Sequence, residues 1–237
     1  MTQKPFGGKD LHQPDAVASE VLQQKATIDY KSELVRKGIH LCSLAIPIIY
    51  YFISRQFALM LLVPMAGAFL LTDIARHYNA RIATWYYRWF GWLLRQHEQD
   101  RSVHRLNGAT NILLSAVLCV ALFPKIITIN AFAILIVSDT TSALIGRRFG
   151  KRPFLNKSLV GTLAFFVSAI LVVVLAPKIA GTLPEYGIWI VGALGGAITE
   201  AWVTGLDDNI SVPFSIGLIM WGLYALLLPE LNLAFLT

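Results

Sequence analysis

Seven apolar runs, at roughly 39–54, 56–73, 109–124, 126–145, 160–177, 186–204 and 211–228, leave this chain few ways to fold. Only 14% of its 237 residues are charged, against about 25% in an average soluble domain, and the deficit is concentrated in these runs. Backbone that enters hydrocarbon must satisfy its own hydrogen bonds, so uncharged runs of this length predict membrane-spanning helices. The fold class read from the sequence is therefore all-α: a polytopic membrane helical bundle of about seven transmembrane helices. Several runs are about 16 to 18 residues long, short of the roughly 20 a crossing needs, which predicts irregular or tilted ends.

The connections are short. Ser54-Arg55-Gln56 reads as a tight hairpin, and Pro124 with Lys125 marks another boundary. Residues 1–30 are polar, with Pro5, Pro14 and several Gln, and form a separate N-terminal tail. No apolar stretch follows a basic start there, which argues against a cleaved secretory signal. Residues 78–95 read as an amphipathic helix lying in the interface. Ile82, Trp85, Tyr86, Trp89 and Leu93 recur at helical spacing, with Arg81, Arg88 and Arg95 on another face. Cys42 and Cys119 fall inside apolar runs without CxxC spacing, so each is expected to be a buried inert thiol.

Lys and Arg set the orientation. With the N-terminus in the cytoplasm, seventeen of the 20 fall on that side, and Arg55, Lys125 and Lys178 on the other. The positive-inside rule then puts the tail and the central loop in the cytoplasm and the C-terminus outside. The formal net charge of +6 belongs to an anionic membrane face or substrate, not to nucleic acid.

One stretch carries most of the chemistry: SDTTSALIGRRFGKRPFLNKSLVGT, Ser138 to Thr162. Asp139 sits just inside an apolar run. Arg147, Arg148, Lys151, Arg152 and Lys157 follow it, among Gly146, Gly150 and Gly161. One carboxylate, several cations and glycines that admit close backbone approach suit a polyphosphate with its metal. The string Gly146 to Lys151 is not a P-loop, because the spacing is short and Arg152 stands where Ser or Thr is required. Asp139, Ser142 and Gly146 share one helical face. Three more polar clusters sit at the same expected ends of spans, where charge is less costly than at a helix centre. Glu33, Arg36, Lys37 and His40 flank the first span, and alone they read as an ordinary basic flank. Asp73 with Arg76 and His77 reads as a structural ion pair. Glu200 lies within a span, followed by Asp207, Asp208 and Asn209. The carboxylates and amide can coordinate magnesium, while a helix cap explains Asp208 and Asn209 nearly as well.

In this order the clusters resemble the CTP-dependent lipid-alcohol kinases, the family of dolichol kinase, phytol kinase and the CTP-dependent diacylglycerol kinase. The resemblance covers about residues 33–228. It rests on ELVRKGIHL at the first span, LRQHE at 94–98, GATNILLSAVLCVALFP at 108–124, the Ser138–Thr162 stretch, and Glu200 with GLDDNISVP. One departure is Val160, where that family has Glu. The resemblance implies that residues 31–237 form an integral membrane kinase domain. It implies magnesium-dependent transfer of the γ-phosphate of CTP to the hydroxyl of a membrane lipid (a polyprenol, a phytol-like isoprenoid or diacylglycerol) at the cytoplasmic face. On that footing Asp139 holds the metal or accepts the alcohol proton, and Lys157 is its catalytic partner. Arg36, Lys37, His40, Gly146, Arg147, Gly150, Lys151, Ser158 and Asn209 bind the nucleotide, and Glu200 and Asp208 complete the metal site. Short loops point to a bacterial or archaeal plasma membrane. Two other readings stay open. A phosphatidate cytidylyltransferase-like enzyme would attack the α-phosphate of the same nucleotide. A small transporter or scramblase could use the intramembrane carboxylates and the Gly192, Gly195 and Gly196 run.

Overall fold

The computed structural model describes residues 34–91, 106–203 and 205–233. The polar tail, Glu33, Leu93, Arg95 and the 94–98 motif lie outside the described residues. A helical segment at 34–42 precedes α1 (Ala45–Phe52), α2 (Arg55–Tyr78), α3 (Ala80–Phe90), α4 (Gly108–Leu122) and α5 (Lys125–Phe149). A short hairpin, β1 (Pro153–Phe154) with β2 (Lys157–Ser158), leads to α6 (Leu159–Leu175), α7 (Leu183–Trp202) and α8 (Asp208–Leu227). The all-α expectation holds, with the two-residue strands as a small addition. Among the described residues three helices, α2, α5 and α8, are long and apolar enough to cross a membrane, and α4 and α6 are apolar but shorter.

The first apolar run is not one helix. It breaks at residues 43–44, between the 34–42 segment and α1. Pro47, in the first turn of α1, has no N–H to give to the carbonyl of Ser43, and proline is tolerated only where that bond is dispensable. The expected hairpin follows. Ser54 caps α2 by accepting from the Phe57 N–H at 3.3 Å, and the Arg55 guanidinium donates to the Ala121 carbonyl at the far end of α4.

α5 is the central helix. Ile126, Ile127, Ile134, Leu135 and Ile136 are completely buried, and α6, α8, α1, α4 and α7 all pack on it, α6 most extensively. Alongside, α7 meets α8 through small residues. A Cβ added at Gly192 would lie 2.7 Å from Met220 Cγ, and one at Gly196 would lie 2.7 Å from Ile216 Cδ1. The glycine run is therefore filled by helix packing.

α3 begins at Asn79, whose side chain accepts from the N–H groups of Arg81 and Ile82 at 2.9 and 3.4 Å. The expected single aromatic face is split. Trp85 and Trp89 are exposed with Arg81 and Arg88, whereas Tyr86 is buried beside Ala83. Tyr86 turns inward because its hydroxyl accepts from Asn107 Nδ2 at 2.6 Å and its ring lies 4.9 Å from the Arg76 guanidinium. The cysteines differ as well: Cys119 is buried, but Cys42 is exposed, on the outer face of the 34–42 segment.

At the pole opposite the hairpin, a buried carboxylate organises the α6–α7 loop. Glu185 accepts from the N–H groups of Ile179, Ala180 and Gly181 at 2.7–2.9 Å and from the Tyr224 hydroxyl at 2.7 Å. Tyr224 in turn accepts from Trp189 Nε1 at 2.6 Å. Lys178 caps the group from above, 3.9 Å from the Trp189 ring centre. Burial pulls its ammonium below the ordinary lysine range, with Glu185 opposing. Losing this carboxylate orphans three backbone donors at once. Glu185→Ala is expected to destabilise the protein by about 3 kcal/mol, read as a lowered midpoint of denaturant unfolding in detergent.

Candidate functional site

At the hairpin pole the helix ends carry the clusters that the sequence separates. α8 starts at Asp207, which caps it by accepting from the Asn209 N–H at 3.0 Å and from Asn209 Nδ2 at 2.7 Å. The cap is thus Asp207, and Asp208 is left to point elsewhere. It points at Glu200, near the end of α7, and at Asp139, on α5. One carboxylate oxygen from each of the three lies within 4.8 Å of the others.

Cations from two directions meet this group. Lys37, on the 34–42 segment and almost fully buried, donates to Asp139 Oδ2, and His40 Nε2 lies 3.3 Å from the same oxygen. From the other side Lys157 Nζ lies 3.0 Å from Asp208 Oδ2 and 3.1 Å from Glu200 Oε1. Burial alone would lower the Lys157 pKa, but Asp208 and Glu200 outweigh it and hold the ammonium above the ordinary lysine range. Ser142, one turn beyond Asp139, donates to Glu200 Oε1 at 3.2 Å.

The hairpin that delivers Lys157 is docked. At its tip Leu155 takes a positive φ of 51°, a conformation that disfavours a side chain. Asn156 holds the tip by donating its N–H to the Ala201 carbonyl at 2.9 Å and Nδ2 to the Trp202 carbonyl at 2.6 Å. These are among the carbonyls a helix C-terminus leaves without partners. Lys157 follows at once, beside Glu200 on the same helix end.

Gly146 and Gly150 do not face an open space. Ser158 caps α6 by accepting from the Gly161 N–H at 3.1 Å, and this cap sits in the room the glycines leave. A Cβ at Gly146 would lie 3.1 Å from Ser158 Oγ and 3.2 Å from Gly161 Cα, and one at Gly150 would lie 2.5 Å from Ser158 Oγ. The space a side chain would need at these glycines is taken by protein. Arg147 and Lys151 are exposed at the surface and line no part of the cavity described next.

Against Asp139 opens a cavity of about 410 Å³ whose lining does not include Lys157. Arg36, Lys37, His40, Asp139, Asp207 and Asn209 line its polar end. Ile39, Ala68, Phe69, Trp85 and Ile112 line the rest. A buried node supports its wall. Asp73 is fully buried, accepts from Arg76 Nε at 2.5 Å and from the Asn107 N–H at 2.6 Å, and so ties α2 to the start of α4. The Asp73–Arg76 pair is thus structural, as its spacing implied. Asn107 was not singled out by sequence, although an Asn directly before an apolar run is an N-cap pattern, and it does cap α4, accepting from the Thr110 N–H at 2.9 Å.

The carboxylates suit a hard divalent cation. Oxygen ligands on one magnesium are at most about 4 Å apart, close to the separation here. Glu200 Oε2 is buried with no hydrogen-bond partner, and a buried acceptor in that state calls for a donor or an ion.

The Gly150 packing is testable. A Cβ there would meet the Gly146 carbonyl as well as the Ser158 side chain, so Gly150→Ala should destabilise by about 1–3 kcal/mol in an unfolding measurement, and Ser158→Gly, which leaves the carbonyl in place, should not restore full stability.

Comparison with known proteins adds two relatives. The uncharacterised protein RP860 of Rickettsia prowazekii is 32% identical over 191 residues, 80% of this chain and 93% of that protein. CTP-dependent diacylglycerol kinase 1 of Schizosaccharomyces pombe is more distant, 27% identical over 155 residues, 60% of this chain and 69% of that protein. No protein-family model matches the chain, and no solved structure does. At the identity and coverage of the first comparison, the chain belongs to the family of RP860.

Proposed function

We propose that this protein is a CTP-dependent kinase that phosphorylates the hydroxyl of a membrane lipid alcohol at the cytoplasmic face. The observation that carries this reading is the meeting of Asp139, Glu200 and Asp208 with Lys37 and Lys157 at one pole, beside a cavity. The distant likeness to a CTP-dependent diacylglycerol kinase supports it. In this reading the chain crosses the bilayer seven times. The broken 34–52 helix is the first crossing, α2 and α4 to α8 are the others, and α3 lies along the interface.

Phosphoryl transfer asks little covalent work of a protein and much alignment and charge neutralisation. The acceptor oxygen attacks the γ-phosphorus, a new P–O bond forms, the bond to the β-phosphate oxygen breaks, and CDP leaves. The hydroxyl proton passes to Asp139 Oδ1, since Oδ2 is engaged by Lys37 and His40. Those two partners also fix the carboxylate's direction. Lys157 neutralises charge on the transferring group and turns from its carboxylates to do so. Glu200 and Asp208 would hold magnesium beside Asp139, whose Oδ1 is kept for the proton, and the ion when bound would supply charge neutralisation at the phosphate oxygens. Ser142 orients Glu200, and Asn209 faces the same space from the start of α8.

Purified protein with γ-labelled CTP and a panel of lipid alcohols tests the reading. The expected products are CDP and a lipid monophosphate, with activity lost in chelator and restored by magnesium. Lipid-linked CMP and pyrophosphate would make it a cytidylyltransferase instead, and lipid flux in proteoliposomes without nucleotide would make it a transporter. Asp139→Asn should lower kcat by about 10²- to 10³-fold while leaving CTP binding within a few-fold; full turnover in that variant removes Asp139 from the reaction.

A further inference from the structure

Which side of Asp139 each substrate occupies follows from the lining of the cavity. Its walls are apolar, and three of them, Ile39, Phe69 and Trp85, are about half exposed, so the cavity opens sideways through its apolar flank. Phe69 lies on α2, a helix long and apolar enough to cross a membrane. It sits about 6 Å along the axis inside the end of the apolar run at residue 73. An opening at that depth, on an apolar flank, faces hydrocarbon and not water.

The polar end is equally selective. Two carboxylates, Asp139 and Asp207, border it with Arg36, Lys37 and His40, so its formal charges nearly balance and leave no excess of cations for a triphosphate. Lys37 is already engaged by Asp139. Lys157, the cation held between Asp208 and Glu200, is absent from this lining, as are those two carboxylates. A neutral hydroxyl fits beside Asp139 and His40 where a polyphosphate does not. The volume of about 410 Å³ is near the lower end of small-molecule sites, which run about 300–1,000 Å³. It suits the end of a lipid whose remaining chain stays in the bilayer.

We propose that this cavity is the acceptor subsite. The hydroxyl-bearing end of the lipid alcohol enters from the bilayer past Ile39, Phe69 and Trp85 and meets Asp139, while the nucleotide approaches the carboxylates from the Lys157 side. The assignment rests on the kinase reading and divides its site in two. It moves Arg36, Lys37 and His40 from the nucleotide to the acceptor.

Two diazirine-bearing probes, a geranylgeraniol and a diacylglycerol, test it with the full chain in nanodiscs. Cross-links from at least one probe are expected in the 34–42 segment and in the stretches of α2 and α4 that line the cavity. Ala68→Phe, which narrows the apolar wall, should cut that labelling and raise the KM for the lipid alcohol, each by about tenfold, with the KM for CTP unchanged. Leu61→Phe, elsewhere on the exposed face of α2, should change neither. Phe69→Ala, which widens the mouth without touching the core, should shift preference towards bulkier alcohols. Labelling that spreads over all helices and ignores Ala68→Phe overturns the assignment, as does a raised KM for CTP with the lipid KM unmoved. Labelling of the cavity that Ala68→Phe blocks, with no phosphate transferred to any alcohol, leaves the lipid subsite standing and removes the kinase.

Discussion

Three carboxylates drawn to within 4.8 Å of each other among helix ends are the constraint from which the hairpin pole is built. Unpaired, such charges cost several kcal/mol each in a low-dielectric interior. Here two lysines from distant parts of the chain meet them: Lys37, 102 residues before its partner Asp139, and Lys157, 51 residues before Asp208. Neither lysine can arrive unless its own element is fixed. The 34–42 segment, joined to α1 through the turn at residues 43–44, carries Lys37 to α5. The Asn156 contacts hold the β1–β2 hairpin against the end of α7, so that Lys157 reaches Glu200. Electrostatic pairing and backbone docking thus specify one another.

The two poles treat a buried carboxylate differently. Glu185 receives three backbone N–H groups and a tyrosine hydroxyl, so both its oxygens are occupied by groups that cannot leave without unfolding the loop. Glu200 receives a serine hydroxyl and a lysine on one oxygen and nothing on the other. Its partners are the ends of side chains, free to move to a ligand at small structural cost, and one lone-pair site is open. A carboxylate saturated by main chain serves stability. One partnered by a single lysine and a serine hydroxyl, with an acceptor to spare, is arranged for exchange.

Much of this was legible in the residues. Uncharged runs announce apolar helices because nothing else satisfies backbone in hydrocarbon, and Asp139, Lys157, Glu200 and Asp208 stood out because charge beside such runs needs compensation. The Asp73–Arg76 pair was readable from its spacing alone. What periodicity could not give was direction. Tyr86 and Trp85 are neighbours on one apolar stripe, yet a hydrogen bond from Asn107 draws only Tyr86 inward. The 39–54 run looks continuous by hydropathy, and only the missing N–H of Pro47 shows where it can break. Asp207, Asp208 and Asn209 are interchangeable as cap candidates in sequence, and the choice of Asp207 as the cap is what releases Asp208 to the cluster.

The stretch from Gly146 to Lys151 is the instructive case. Glycines among cations look like a loop shaped around phosphate, because glycine lets backbone N–H groups come close to an anion. The same absence of Cβ lets a helix end come close to another chain segment, and composition does not distinguish the two. Position does: the Cβ atoms that Gly146 and Gly150 lack would fall on Ser158 and Gly161, so the room is already taken by the cap of α6. The consequence reaches the chemistry. With the side-chain space at these glycines taken, the groups to weigh for an anion at this pole include its cationic side chains. The best placed is Lys157, the residue that the packed glycines and the docked hairpin together hold against Asp208 and Glu200.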